Sequence, residues 1–159
     1  MAVIKVGIAD SNIAKAPDSI CTLGLGSCVG VTLFDDVRKI AGMVHVMLPS
    51  TELARTSTYK KAKFADSGVP ELVDMLVQAG ASRTRLKAKM AGGARMFSFE
   101  DSAKSIGLRN IEACKEALRK LGIPLVAEDT GGSHGRTIEA FPDTGVLEVR
   151  TVSKPIIRI

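Results

Sequence analysis

The chain has 159 residues, 45% of them hydrophobic and 25% charged, the size and balance of one globular domain with a core of its own. Its net charge of +5 raises the question of nucleic acid, but the basic residues fall in scattered groups (Arg38-Lys39, Lys60-Lys61-Lys63, Arg83-Arg85-Lys87-Lys89, Arg119-Lys120), and none is interleaved with the aromatics that stack on bases. No nucleic-acid partner is expected, and a basic surface of this kind suits an acidic protein partner.

In chain order, Val3 to Ala9 alternates apolar with small or charged residues and predicts an opening strand. Asp10 to Asp18 reads as a polar connection. Ile20 to Leu25 and Val29 to Phe34 predict two strands either side of a glycine-rich turn, with Val29, Val31 and Leu33 on one face by the period of two. Asp35-Asp36 marks a turn, and Lys39 to Leu48 predicts a further strand stopped by Pro49. On that strand His45 shares a face with Met43 and Met47, while Val44, Val46 and Leu48 take the other.

After the polar segment Ser50 to Thr58, Asp66 is expected to cap a helix running through Gln78, with Pro70 in its first turn, Gly80 ending it and Val69, Leu72, Val73 and Leu76 as its apolar stripe. Arg85 to Met90 predicts a strand leading into Gly92-Gly93. A second helix is expected from Leu108 to Leu121, with Leu108, Ile111, Leu118 and Leu121 inward and Gly122 as the stop. Leu125 to Thr130, Arg136 to Phe141 and Val146 to Val152 close the chain as strands, the last two joined as a hairpin by Pro142-Asp143-Thr144-Gly145. Many strands interrupted by two helices predict an α/β (α+β) layered sandwich with a mixed sheet, one domain over residues 1–159.

Three cysteines at irregular spacing do not form a disulfide framework and suit free thiols in a reducing compartment. No apolar run approaches a membrane span, and Met1 to Lys5 lacks the basic region and apolar core of a signal peptide, so a cytoplasmic protein without membrane insertion is expected. No pair of cysteine and histidine residues has finger-like spacing, and no metal is expected.

Chemistry concentrates in Thr22-Leu23-Gly24-Leu25-Gly26-Ser27-Cys28, followed by Gly42-Met43-Val44-His45. A thiol attacks as its thiolate, and an imidazole nearby can take the proton and later pass it to a leaving group. Glycines before the nucleophile let backbone approach a substrate and turn N–H groups toward a developing oxyanion. These are the parts of a cysteine acyl-transfer site. From composition alone Cys28 also reads as a small buried hydrophobe, and His45 on an apolar strand also reads as a hydrogen-bonded core histidine. Cys21 and Cys114 have no neighbouring glycines and read as packing residues, while His134 falls on a loop.

Five blocks, Thr22 to Val29 (TLGLGSCV), Gly42 to Pro49 (GMVHVMLP), Lys89 to Met96 (KMAGGARM), Gly107-Leu108-Arg109-Asn110 and Asp129 to Arg136 (DTGGSHGR), resemble in order the motifs of the CheD family, the chemoreceptor glutamine deamidases of bacterial chemotaxis. The third block departs from the family pattern at Ala91, where an aromatic residue is expected before the glycines. The resemblance implies a three-layered fold shared with the catalytic part of the cytotoxic necrotizing factor toxins. It implies Cys28 as nucleophile, His45 as base and Thr22 as the residue orienting the base, with Gly26 and Ser27 at the oxyanion, and no cofactor. It further implies chemoreceptor cytoplasmic helices as substrate, possible methylesterase activity through the same thioester, and a CheC-type phosphatase as partner. The alternative is a protein that acts mainly as a non-catalytic partner and stimulator of that phosphatase. Ser50 to Thr58 and Met96-Phe97 are the segments expected to rim the site.

Overall fold

The most apolar strands of the sequence lie at the centre of the molecule. In the computed structural model, which describes residues 1–96 and 105–159, β4 (Val29–Asp35) and β5 (Ile40–Val46) are buried along their whole length. They pair antiparallel, Val31 opposite Val44 and Gly30 opposite His45. Around them are β1 (Val3–Val6), β2 (Ser11–Lys15), β3 (Ser19–Leu25), α1 (Ala65–Gln78), β6 (Lys87–Gly92), α2 (Ile106–Leu121), β7 (Leu125–Thr130), β8 (Arg136–Phe141), β9 (Val146–Arg150) and β10 (Ile157–Arg158).

These strands make two five-stranded sheets, in the orders β1-β3-β8-β9-β10 and β2-β5-β4-β6-β7. Each is mixed: β1 runs parallel to β3 and β6 parallel to β7, the other pairs being antiparallel. The expected single mixed sheet is therefore two sheets. Strands β4 and β5 need cover on both faces, and one sheet with two helices covers only one.

One core lies between the central sheet and the helices, where Val29, Val31, Leu33, Val44 and Val46 meet Leu72, Leu76, Ile111 and Leu118. Gly42 lets α1 settle on β5, since a Cβ there would stand 2.8 Å from Leu72 Cδ1. Truncating Leu72 to alanine in such a seat typically costs about 2–5 kcal/mol. A second core lies between the sheets, where Phe34, Ala41, Met43 and Ala91 meet Ile20, Leu25, Ile138 and Leu147. The small residue at position 91 is fully buried in this layer.

Several sequence expectations are corrected. The Asp10–Asp18 stretch contains strand β2, an edge strand on β5 whose Ala14 is buried while Ser11, Asn12 and Lys15 keep the polar look of a loop. Helix α1 begins at Ala65 with Phe64 at the N-cap, so Pro70 lies past the first turn. Asp66 does not cap it: its carboxylate accepts hydrogen bonds from the Thr51 N–H and hydroxyl, holding the short 3₁₀ turn Thr51–Leu53. Helix α2 begins at Ile106, capped by the Ser105 hydroxyl and closed by Gly122 at φ 69°. Its buried face carries Asn110, Ile111, Cys114, Ala117 and Leu118, and Leu108 and Leu121 sit only half-buried beside it. Strand β9 stops at Arg150, and β10 adds an edge that two residues do not announce in sequence.

At the end of β4 away from Cys28, buried Asp35 accepts from Arg85 Nε and Nη2, each at 3.0 Å, and from the N–H groups of Val37, Arg38 and Ser82. Burial alone would raise its carboxyl, but these bonds and the Arg85 charge outweigh that and hold it well below the usual carboxylate range.

Candidate active site

Strand periodicity puts Cys28 and His45 on one face. Gly30 faces His45 across the β4–β5 ladder, and Cys28, two residues earlier, lies on the same face and one diagonal step away. Diagonal neighbours of an antiparallel pair lie within reach of long side chains. The third residue comes from the other sheet. Thr22 on β3 places its Oγ1 2.7 Å from His45 Nδ1, with Thr22 and His45 both buried.

The hydrogen-bond polarity at Thr22 fixes the imidazole. Thr22 Oγ1 also lies 2.7 Å from the Val6 carbonyl oxygen, which can only accept, so the threonine hydroxyl donates there. Its oxygen is then an acceptor toward His45, which requires the proton on Nδ1. Nε2 carries the lone pair, and among the described residues this buried nitrogen has no hydrogen-bond partner. A base with its proton-accepting atom unengaged is the requirement for deprotonating a thiol.

Burial shifts both side chains toward their neutral forms. Burial pushes the half-buried Cys28 thiol up, partly offset by its own backbone N–H, and burial pushes the His45 imidazole down.

The turn that carries Cys28 is held from three sides. Gly24 takes a φ of 69°, and the Gly26 N–H donates to the Gly24 carbonyl at 3.1 Å. Ala94 N–H donates to the Gly26 carbonyl and Gly93 N–H to the Cys28 carbonyl, each at 2.8 Å. Gly92 is required here: its φ is 108°, and a Cβ would overlap the Cys28 carbonyl oxygen. From α2, Asn110 Nδ2 donates at 2.9 Å to the Ser27 carbonyl and at 2.9 Å to the Met47 carbonyl. From the β7–β8 connection, Gly131 N–H donates to Gly92, and Gly132 accepts from Arg95 N–H, each at 2.9 Å. Buried Arg136 steadies that connection through Asp129 at 3.2 Å.

The five sequence blocks thus converge on one turn. Cys28 and His45 share one face of the β4–β5 ladder, Thr22 bonds His45 from the other sheet, and Gly26 and Ser27 lie in the turn itself. Asn110 is the residue to which residue-by-residue reasoning gives no role, although it falls inside a quoted motif. Cys21 points to the opposite face of β3 from Thr22, Cys114 is buried in α2 with its thiol pushed up to about 12 by burial, and His134 is exposed. Exposed apolar side chains adjoin the turn: Leu23, where β3 slips register against β8, and Met96, whose side chain lies over Gly26. Phe97 lies outside the described residues.

Among the described residues no helix is long and apolar enough to cross a membrane. A family model described as "CheD chemotactic sensory transduction" matches residues 47–151. The chain is 54% identical over 152 residues to a chemoreceptor glutamine deamidase CheD of Halalkalibacterium halodurans, covering 94% of each chain. It is 51% identical over 154 residues to the protein of that name from Bacillus subtilis, covering 96% of this chain and 93% of that one. It is 50% identical over 159 residues to the one from Bacillus licheniformis, covering 99% and 95%. Among solved structures, a hypothetical protein YfiH of Bacillus licheniformis superposes with a TM-score of 0.49 at 16% identity, over 76% of this chain and 50% of that one.

Proposed function

This chain belongs to the CheD family, and on that premise we propose that it is a cytoplasmic protein-glutamine deamidase. It converts glutamine side chains on the cytoplasmic helices of chemoreceptors to glutamate, so adjusting chemotactic adaptation. The observation that carries the mechanism is the Thr22–His45 bond, which leaves His45 Nε2 unengaged on the face of the β4–β5 ladder that Cys28 shares.

In the forward half-reaction, His45 Nε2 takes the thiol proton as Cys28 Sγ adds to the side-chain carbonyl carbon. The oxyanion meets backbone N–H groups of the Ser27–Cys28 turn, which no described acceptor engages, whereas the Gly26 N–H is already bonded to Gly24. Collapse breaks the C–N bond, and the imidazolium proton leaves with the nitrogen as ammonia. In the second half, His45 takes a proton from water as the water oxygen adds to the thioester. Sulfur departs with that proton restored to it, leaving glutamate. The sum is glutamine plus water to glutamate plus ammonia, and no cofactor takes part.

The same thioester would form from a methylated glutamate with loss of methanol, which makes methylesterase activity a secondary expectation of this scheme. The likeness to the cytotoxic necrotizing factor catalytic fold stays part of the same reading, supported by the layering of sheet, sheet and helices. A second role rests on exposed Leu23 and Met96 beside the nucleophile turn. Apolar side chains there suit a protein surface docking over Cys28, whether a receptor helix or a CheC-type phosphatase. The decisive experiment is incubation with a receptor cytoplasmic fragment, read by ammonia release and by the Gln-to-Glu mass gain. No conversion of any receptor glutamine would reject the deamidase reading and leave the partner role.

A further inference from the structure

The Asn110 carboxamide stands where the turn carrying Cys28 meets the end of the strand carrying His45. It is fully buried, and its Nδ2 donates one hydrogen to the Ser27 carbonyl and one to the Met47 carbonyl, each at 2.9 Å. The β4–β6 ladder pairs Val29 with Gly92, and one step outward it sets Cys28 opposite Gly93. There the Gly93 N–H donates to the Cys28 carbonyl, but the return bond is not made. Among the described residues no acceptor takes the Cys28 N–H. An unengaged N–H at the nucleophile, beside a carbonyl held by a buried amide, is an arrangement with a geometric consequence.

The Ser27–Cys28 peptide is trans and planar, so its C=O and N–H point in opposite directions. Holding the Ser27 oxygen toward α2 turns the Cys28 N–H away from α2. We infer that Asn110 is a positioning residue: it sets the plane of the Ser27–Cys28 peptide so that the Cys28 N–H is the oxyanion donor, and its bond to Met47 registers that plane against the strand of His45. The inference rests on the reading of Cys28 as nucleophile. It makes α2, which contributes no reacting atom, a determinant of transition-state binding.

The test separates oxyanion placement from thiol activation and from folding. Deamidation of a receptor cytoplasmic fragment and alkylation of Cys28 by iodoacetamide are measured on wild type, Asn110→Ala, Asn110→Asp and Cys28→Ala. Alkylation develops no oxyanion, so it reports the thiol and its base alone. Asn110→Ala is expected to lower kcat by up to about 10²-fold at unchanged KM, with alkylation at the wild-type rate. Asn110→Asp keeps the shape, and its carboxyl donates one hydrogen when neutral and none when ionised. Its kcat is expected to fall as pH rises through the titration of that buried carboxyl, a limb that wild type and the alkylation rate lack. This second variant carries the test if Asn110→Ala fails to fold. Wild-type kcat in either variant, or parallel loss of kcat and alkylation, overturns the inference. Deamidation surviving in Cys28→Ala overturns it together with the mechanism, which distinguishes the two failures.

Discussion

Thr22 Oγ1 stands 2.7 Å from His45 Nδ1 and 2.7 Å from the Val6 carbonyl oxygen, and the carbonyl decides which way the first bond runs. Because Val6 can only accept, Thr22 receives from the imidazole, and Nε2 keeps the lone pair. A hydroxyl thus does the orienting work that a carboxylate does in other triads, without placing a negative charge behind the ring. In the proposed attack the imidazolium gains less stabilisation this way, in keeping with burial that shifts the ring toward its neutral form.

Removal of each partner should therefore cost unequally. Cys28→Ala is expected to abolish deamidation with the fold intact, because the side chain is only half-buried at a turn. His45→Ala is expected to lose about 10²–10⁴-fold in kcat, the usual share of a general base. Thr22→Ala should be impaired but measurable, since the ring keeps its place between the sheets while losing its preferred tautomer. Cys21→Ala and Cys114→Ala should retain activity, since neither thiol shares the site. Steady-state kinetics on a receptor fragment checks the order, and full activity in His45→Ala at neutral pH would leave Cys28 without its base.

The pH dependence follows from the two shifts. His45 acts as a base only when neutral, and its depressed pKa keeps it neutral to lower pH than a free histidine. The acid limb of kcat/KM is therefore expected below the ordinary histidine value of about 6.5. Cys28 is shifted up, so alkylation of the free enzyme should keep rising above the ordinary cysteine value of about 8.5. An acid limb above the free-histidine value would mean that a charged imidazolium is stabilised in the resting site.

Much of this site was legible because it lies on strands whose neighbours are apolar. The period of two placed His45 with Met43 and set Val44 and Val46 on the other face, and the two cores divide those residues that way. The glycines before Cys28 marked a turn. The resemblance, rather than spacing, supplied Thr22, which reaches His45 from the other sheet. Polarity misled at two places. Ser11 to Lys15 looks like a loop because an edge strand keeps one side in water. Asn110 was missed on the buried stripe of α2 because a polar residue is ordinarily assigned outward, and only the carbonyls of Ser27 and Met47, distant in sequence, explain its burial. The division into two sheets depends on β3 pairing with β1 and β8, partners that local pattern does not name.

Gly92→Ala tests the close approach behind the nucleophile. The residue has a φ of 108°, and its Cβ would overlap the Cys28 carbonyl oxygen. Such a backbone strain in a non-glycine residue costs about 1–3 kcal/mol, before the clash is counted. The turn must shift to relieve it, so kcat is expected to fall by more than the loss of folded protein explains. Thermal melting and kinetics on the same preparation check this, and a variant with wild-type kcat would show that the position of Cys28 tolerates movement of its carbonyl.

A glutamine on a receptor helix can reach a half-buried thiol only if a protein surface settles over the turn. Exposed Leu23 lies on the segment leading into that turn, and exposed Met96 covers Gly26, two residues before Cys28. These are apolar contacts of the kind that anchor interfaces. Any protein bound through them would cover the thiol, so a receptor fragment and a CheC-type phosphatase are expected to compete for one surface. Either should slow iodoacetamide alkylation of Cys28, and Leu23→Ser with Met96→Ser should weaken that protection while the alkylation rate of the free protein stays the same. Small-reagent access is set by the turn, whereas protection is set by the apolar rim. Simultaneous binding of both proteins with Cys28 still fully reactive would place the partner surface elsewhere on the molecule.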